Sequence, residues 1–387
     1  MSEIIMDGIH AMLPREKMTE AAKRLRDTYK ITPDAPIVMR EFGYYCLEKW
    51  QSEGKIGDWN AICHELGIDE RGWFECSNMG WCEAEFYPRF EEKVLEARGE
   101  DEELVQDFAG RKLLCFKGRR SGFMPTYVDH PVKDMKSWEE NCLWRMDPKT
   151  PERIARTEAI AKEAVKVAGR GEMIQLHIGG AYMYLRSLIG PEGLLYAFYD
   201  DPEVVHACLA QWVELNDATC AIYQKYVSVD EVFFGEDICY KNGLLISPAM
   251  WHEFLKPYYE ELLTRIRRRN IDKSRHIYLQ IDTDGDCRPA IPLYKELGMD
   301  AMSPFEVAAG CDVVEIGKDN PDLALFGGID KRVLAEGKEA IDRMLDRIMP
   351  AMRKRGGYIP TCDHGVPEEV GFEDWVYYRK KLLEYSR

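Results

Sequence analysis

The stretch HIYLQIDTDGDCRPAIPLYKELGMDAMSP, residues 276–304, contains the repeating unit from which the fold is predicted. An apolar, strand-like run over residues 276–281 leads into a polar tip rich in aspartate, and a second apolar run follows at residues 301–304. Similar runs occur elsewhere after residue 170, at residues 173–178, 231–234, 323–326 and 357–360. Strands that alternate with helices predict a parallel sheet, and so many units in one run favour a closed (β/α)8 barrel, an α/β fold.

The helices between these runs have recognisable boundaries. A capping side chain precedes a proline at three predicted helix starts, Thr150-Pro151, Asp201-Pro202 and Ser247-Pro248. Residues 340–355 carry an apolar face at helical spacing. We expect that helix to kink at Pro350 and to end before Gly356.

The N-terminal part of the chain departs from this rhythm. Residues 36–39 are predicted to form the first barrel strand. Residues 55–148 are rich in Trp, Glu and turn residues, and are predicted to be an N-terminal elaboration of a single domain that spans residues 1–387. Within it, residues 111–117 are expected to pair with residues 123–127 as a hairpin. Several aromatic residues either line a substrate pocket or, as we favour, pack this region: Tyr44, Tyr45, Trp50, Trp73 and Trp81.

Composition excludes several classes of function. The formal net charge of −16 argues against a nucleic-acid or anionic-membrane surface, because phosphate binding requires a basic face. No apolar run approaches the roughly 18 residues needed to span a bilayer. The chain has twelve cysteines without a CxxC pair, and its first residues lack the apolar core of a signal peptide. We therefore expect a cytoplasmic protein with reduced thiols.

Ionisable residues follow every predicted strand after residue 170. In a barrel, the carboxyl ends of the strands form one mouth, where functional side chains collect. Such a cluster could bind a metal, carry out acid–base chemistry, or do both; alternatively, polar residues simply end strands at the surface. The set comprises His177, Glu236, Asp237, Asp282, Asp284, Asp286, Glu306, Asp330, Lys331, Cys362, Asp363 and His364.

The aspartate-rich tip is not a calcium loop of the EF-hand type, because Cys287 replaces the required glycine and Leu293 the required glutamate. Asp282 and Asp284 could share a cation if His364 supplied a third ligand, and zinc accepts this ligand set. A hydrogen-bonded substrate site is an equally weighted interpretation. The chain lacks GxGxxG, GxxxxGK and GxSxG motifs, so nucleotide and acyl-transfer functions have no support.

Several short motifs, in this order and spacing, resemble the uroporphyrinogen decarboxylase superfamily. They are Ser247-Pro248, Asp284-Gly285, Pro304-Phe305-Glu306, Gly327-Gly328-Ile329-Asp330-Lys331, Gly356-Gly357-Tyr358-Ile359-Pro360 and Asp363-His364. The resemblance extends over roughly residues 120–385 and implies a barrel with one of two chemistries. One is cofactor-free decarboxylation of a tetrapyrrole. The other is methyl transfer involving a corrinoid on a partner protein, usually with a zinc site.

The resemblance favours the methyltransferase members. True decarboxylases carry Arg-Gln-Ala-Gly-Arg near the start, and only Arg40 of the matching segment, residues 39–44, could bind a substrate carboxylate. The zinc motif of the methyltransferases, His-x-Cys-Gly with a later Cys, is replaced here by Asp282-Thr283-Asp284-Gly285 and His364. Harder oxygen ligands weaken the zinc case and favour an O-methyl substrate over a thiol.

The resulting expectation is a corrinoid-dependent methyltransferase component that takes a methyl group from a small substrate, such as a methoxylated aromatic. A corrinoid (cobalamin) protein would be its partner, zinc an optional cofactor, and a homodimer a compatible assembly. The predicted catalytic residues are Glu236, Asp284, His364 and His177; the predicted substrate-binding residues are Arg40, Tyr44, Asp237, Glu306 and Lys331; the predicted metal ligands are Asp282, Asp284 and His364.

Two alternatives remain open from the sequence. In a decarboxylase or lyase acting on another carboxylic acid, Arg40, Lys331 or Arg186 would clamp the substrate carboxylate. A non-catalytic ligand-binding barrel would use the same mouth without turnover, since fold alone does not decide function.

Overall fold

The computed structural model describes residues 17–68, 72–76, 86–117, 125–273 and 275–386. Its centre is a parallel sheet in which each strand pairs with the next strand of that sheet along the chain, the arrangement of a (β/α)8 barrel. The seven paired strands are β1 Trp73–Cys76, β6 Met173–Gly179, β7 Glu231–Gly235, β10 Tyr278–Asp282, β11 Ala301–Ser303, β12 Ala324–Phe326 and β13 Tyr358–Ile359. The predicted fold class is confirmed.

The strands after residue 170 lie within two residues of their predicted positions, but the predicted first strand is wrong. Residues 36–39 are irregular, although Val38 is buried inside the barrel against Phe326 and Ile359. These residues are apolar because they are buried, and an apolar run of this length is also what a buried strand shows. Strand β1 instead lies in the segment that we assigned to the elaboration, where its four residues include a glutamate and give little strand signal.

A second, antiparallel sheet precedes the barrel's main run. Its strands are β2 Lys93–Arg98, β3 Glu102–Gln106, β4 Lys112–Phe116 and β5 Thr126–Asp129. Strand β4 pairs with β5 through Leu113 opposite Tyr127, so the predicted hairpin is confirmed where the structure describes it. Residues 123 and 124 of that prediction lie outside the described residues. Strands β8 Cys239–Tyr240 and β9 Gly243–Leu244 form a small hairpin after β7.

Helices pack around the parallel sheet and against one of its ends. They are α1 Glu20–Tyr29, α2 Leu47–Ser52, α3 Trp59–Glu65, α4 Pro151–Gly169, α5 Ala181–Ile189, α6 Pro191–Asp200, α7 Pro202–Tyr223, α8 Lys256–Arg269, α9 Ile291–Lys295, α10 Val313–Asp319, α11 Lys338–Arg355 and α12 Phe372–Tyr385. Within the described ranges, none of these helices combines the length and the apolar character needed to cross a membrane.

All three predicted helix starts are confirmed in position, but only one of the three predicted capping side chains makes a capping hydrogen bond. The Ser247 hydroxyl accepts a hydrogen bond from the Met250 N–H, at the start of a helical turn that continues through a π-helical turn, Trp251–Leu255, into α8. Thr150 donates to the Asp147 carbonyl instead, and the Asp201 side chain makes no cap. Pro350 lies inside α11, which runs on without a break to Arg355.

The amino-terminal end of the barrel is filled by side chains from α1. The Tyr29 ring stacks on Tyr278 at a centroid distance of 4.3 Å and meets Phe326 edge-on at 5.5 Å. Met173 and Ala301 belong to the same buried cluster. This packing closes one end of the barrel, so the functional site must lie toward the other end, the mouth.

Candidate active site at the barrel mouth

Asp284 follows β10 and His364 follows β13, and the two side chains are in contact at the mouth. Nε2 of His364 lies 3.1 Å from Oδ2 of Asp284. The side chain of Asp284 is 45% exposed and that of His364 is 26% exposed, so a ligand can reach the pair. The hydrogen bond to Asp284 raises the pKa of His364, against an opposing effect of burial. The contact therefore favours an imidazolium ion near neutral pH.

Asp237 joins this pair, and together the three residues form what we call the mouth cluster: Asp237, Asp284 and His364. The Asp284 N–H donates to Oδ1 of Asp237 at 3.4 Å. Nη1 of Arg186 lies 4.0 Å from Oδ2 of Asp237. The backbone of Asp237 is left-handed, with φ of 45°. Burial, reinforced by the charge of Asp284, raises the pKa of Asp237. The cluster thus has two carboxyl groups, one imidazole and one nearby guanidinium.

Asp282 lies beneath the cluster and is only 2% exposed. It accepts a hydrogen bond from the Ser303 hydroxyl, which is positioned by the side-chain amide of Gln280 at 2.9 Å. Burial raises the pKa of Asp282 to about 8. The side chain of Asp282 is therefore held within the barrel rather than presented at the mouth.

Glu236, predicted to be catalytic, is buried behind the mouth, and that role stays a prediction. Its carboxyl group is 0% exposed and accepts hydrogen bonds from the Tyr294 hydroxyl at 2.7 Å, the Tyr259 hydroxyl and the Tyr182 N–H at 3.3 Å. It lies so close to Gly180 that a Cβ there would come within 1.7 Å of Oε2. Burial raises the pKa of Glu236 to about 8. Glu236 therefore connects the end of β7 to the helices that carry Tyr182, Tyr259 and Tyr294.

Glu236→Gln is expected to weaken the pH dependence of stability. The folded chain holds this proton up to about pH 8, whereas an unfolded chain releases it near a pKa of about 4.3. The stabilising contribution of Glu236 is therefore fully present below the unfolded pKa and is lost as the pH rises to the folded pKa. Urea unfolding between about pH 4 and 8 should show a smaller decline in unfolding free energy for the variant than for the parent.

The matched control for this measurement is Glu339→Gln, a change at an exposed glutamate in the first turn of α11. It should reproduce the parent curve. The idea is refuted if the Glu236→Gln variant also keeps the full decline.

Glu306, Lys331 and Asp363 brace the loops around the mouth. Oε2 of Glu306 accepts the Gly285 N–H at 2.9 Å, next to Asp284. The buried carboxylate of Asp363 accepts the Val307 N–H at 2.9 Å and lies 3.4 Å from Nζ of Lys331. In the structure all three connect protein segments, and the predicted contact of Glu306 and Lys331 with substrate stays a prediction.

The remaining predicted tip residues have local partners. Asp286 and Asp330 form ion pairs with arginines two positions later, Arg288 at 2.7 Å and Arg332 at 2.8 Å. Cys362 is buried. The predicted ligands Asp282, Asp284 and His364 do not converge, because Asp282 turns to Ser303; across the described ranges, no group of three His, Cys, Asp or Glu residues is placed to hold a metal. No reaction step is therefore assigned to zinc.

His177 lies inside the barrel and has a carboxylate neighbour that the sequence did not reveal. Its Nδ1 is 3.3 Å from Oε1 of Glu75, and its ring lies 4.6 Å from the Phe233 ring. Glu75 belongs to β1, which was not predicted as a strand. The alternation of residues along β6 places His177 on the same face as Gln175 and Met173, which points into the barrel.

Arg40 and Tyr44 have different surroundings although they are close in sequence. The guanidinium of Arg40 lies 4.8 Å from the centroid of Trp73 and 5.1 Å from that of Phe326, inside the barrel. Tyr44 packs edge-on against Trp59 and Trp375, which supports the packing interpretation of the N-terminal aromatics. Trp50 is buried in the same group, and Trp81 lies outside the described residues.

Fold and site together define an α/β-barrel protein with an acid–imidazole cluster at its mouth. Residues 127–376, well over half of the chain, match the sequence profile of uroporphyrinogen decarboxylase (URO-D). The chain belongs to the URO-D family. Among curated protein sequences, none matches this chain.

Solved structures similar to this one include a methyltransferase from Methanosarcina mazei, with 13% sequence identity and a TM-score of 0.56. That match covers 95% of this chain and 98% of the other. A protein from Listeria monocytogenes described as a vitamin-B12-independent methionine synthase has 13% identity and a TM-score of 0.37, covering 91% of this chain and 97% of the other. The second TM-score is too low to support an argument, and at 13% identity the first likeness concerns the fold alone.

Proposed function

We propose that this protein transfers a methyl group from a small methylated substrate, such as a methoxylated aromatic, to a corrinoid carried by a partner protein. The observation that carries the proposal is the contact between His364 and Asp284 at the open end of the barrel. A methyl ether needs help to react, because an alkoxide or phenoxide is a poor leaving group. A positioned acid that protonates the leaving oxygen typically contributes about 10²- to 10⁴-fold.

The geometry suits His364 as this acid. Asp284 fixes the ring through Nε2, while Nδ1 has no hydrogen-bond partner within the described segments. Nδ1 is buried as well as unpartnered, so in the proposed reaction the ligand enters the mouth far enough to contact this nitrogen, which then donates the proton. As the carbon–oxygen bond breaks, its electron pair stays on the leaving oxygen, which takes that proton, while the methyl group passes to the acceptor. Asp284 stabilises the imidazolium before the transfer.

The surroundings of the cluster are compatible with a partner-borne acceptor. A reduced corrinoid would supply the nucleophile that receives the methyl group. Two exposed tyrosines flank the cluster: Tyr45 packs against Gly365, next to His364, and the Tyr240 backbone packs against Gly285, next to Asp284. Exposed aromatic side chains are enriched where proteins bind large partners or planar groups. The M. mazei neighbour, named a methyltransferase, adds support by analogy of fold.

The test is incubation of the purified protein with reduced cobalamin and a panel of methoxylated aromatics and methylamines bearing isotope-labelled methyl groups. We expect label in the corrinoid fraction, together with one demethylated product, and no label transfer without protein. Carbon dioxide release from a carboxylic acid without corrinoid would instead favour the lyase alternative, in which Arg40 inside the barrel would bind the carboxylate. Absence of both reactions across the panel would contradict the proposal.

A further inference from the structure

Two buried cysteines are in contact below the mouth cluster. The sulfur atoms of Cys287 and Cys311 are 3.7 Å apart. Cys287 follows the aspartate-rich tip after β10, and Cys311 follows a short helical turn, Val307–Ala309, after β11. A disulfide requires the two sulfurs to approach to about 2 Å, so this pair would have to close by roughly 1.7 Å.

A cavity gives this pair a route to solvent. It has a volume of about 390 Å³, lies between the turn at Val307 and helix α11, and has Cys311 in its wall. Its lining is mainly apolar, with Asp312, Asp330 and Arg347 adding charge. This volume lies in the range of small-molecule pockets, so the cavity is large enough to admit a molecule the size of peroxide to the wall that contains Cys311.

The contact also makes Cys311 the more reactive of the two thiols. A hydrogen bond from the Cys287 S–H lowers the pKa of Cys311, against an opposing effect of burial. The pKa of Cys287 is raised by the same contact. Thiolates are the nucleophilic form of cysteine, so Cys311 is expected to attack an oxidant and Cys287 to resolve the product.

We propose that Cys287 and Cys311 form a reversible oxidation site for peroxide-class oxidants, which reach it through the side cavity. The Cys311 sulfur attacks one peroxide oxygen, the O–O bond breaks, and one water leaves, giving a sulfenic acid. The Cys287 sulfur then attacks the Cys311 sulfur, the S–O bond breaks, and a second water carries away the Cys287 proton. Two thiols are oxidised by two electrons, and one peroxide is reduced to two waters.

Oxidation at this site would reposition the mouth cluster. The Cys311 sulfur lies 3.5 Å from the Gly285 carbonyl oxygen, and Gly285 directly follows Asp284. Gly285 has φ of 77° and is packed so closely on the Tyr240 backbone that a Cβ there would come within 2.6 Å of it. Movement of either sulfur toward the other therefore acts on a tightly held turn, and Asp284 moves with it.

The experiment treats the native full-length chain with hydrogen peroxide, blocks the remaining thiols and maps disulfides by mass spectrometry without reduction. We expect a Cys287–Cys311 cross-linked peptide, two hydrogens lighter than the reduced pair and restored by a reductant. Cys142 and Cys208 provide the internal comparison, since both are buried and neither lines the cavity. They should oxidise at least about tenfold more slowly.

Two further readouts keep the result interpretable. Cys287→Ser should abolish the cross-link and leave Cys311 open to stable sulfenic-acid labelling. The NMR signals of the His364 ring should shift on oxidation of the parent chain and not of this variant, whatever reaction the protein catalyses. Oxidation of Cys142 at the same rate as Cys311, or an unchanged rate of cross-linking when the cavity is narrowed by Val333→Phe, would overturn the proposal.

Discussion

Replacement of His364 by glutamine is expected to lower the kcat of methyl transfer by about 10²- to 10⁴-fold. Glutamine keeps a hydrogen-bonding group near Asp284 but cannot carry the proton that the leaving oxygen must receive. The loss should be largest for substrates with the most basic leaving oxygens, because these depend most on protonation. Steady-state rates over a series of substituted methoxyaromatics measure this trend.

The chain supplies a matched control in a second histidine–aspartate pair. Nε2 of His276 lies 2.9 Å from Oδ2 of Asp300, in loops that precede β10 and β11 at the opposite end of the barrel. His276→Gln should therefore leave kcat unchanged. Equal losses for His276→Gln and His364→Gln would show that the effect is structural.

The pH profile separates proton donation by His364 from simple binding. Because the active form carries the proton, activity should fall as the pH rises through the raised pKa of His364. Asp284→Asn removes the contact that raises that pKa, so the decline should begin at a lower pH. If the activity of this variant declines at the same alkaline pH as that of the parent, His364 is not the acid.

Arg379→Met is expected to reduce the free energy of unfolding by about 3–5 kcal/mol. Arg379, on α12, pairs with Glu41, and both side chains are 0% exposed. Nη1 of Arg379 also donates to the Arg40 carbonyl at 3.0 Å, and Glu41 also accepts the Cys362 N–H at 3.0 Å. Loss of the guanidinium leaves a buried carboxylate without its counter-charge. Urea unfolding monitored by circular dichroism measures the change.

Two variants test the cause of that loss. The double variant Glu41→Gln, Arg379→Met should recover much of the stability, because it removes both charges together. Lys55→Met breaks a surface pair with Glu373 and should cause no resolvable change. If the double variant is as unstable as Arg379→Met alone, the buried charge of Glu41 is not the cause of the loss.

The sequence allowed much of the fold to be predicted, because strand, polar tip and helix recur with regular spacing. It also placed Asp284 and His364 at one mouth, since the carboxyl ends of parallel strands meet at one end of a barrel. The pairing of Asp282 with Ser303 could have been found by aligning the ends of two neighbouring predicted strands. Each of these features follows from the pattern of single strand–helix units.

Other features depend on information that the sequence does not display. Glu236 and Asp237 are adjacent carboxylates, and the left-handed backbone at Asp237 decides which of them faces the mouth. The tyrosines that enclose Glu236 come from two helices with no distinguishing motif. The Glu41–Arg379 pair joins residues 338 positions apart, with no local signal at either end.

Among the described residues, the packing of Tyr29 against Tyr278 and Phe326 fills the amino-terminal end of the barrel and leaves the mouth as its open end. In a methyl transfer between two bound molecules, the small substrate and the methyl acceptor must then share one entrance. The substrate has to enter first, since a docked partner would cover the mouth, and the demethylated product is trapped until that partner departs. Such a molecule would follow a compulsory order of binding and release, and excess partner protein would slow its own turnover.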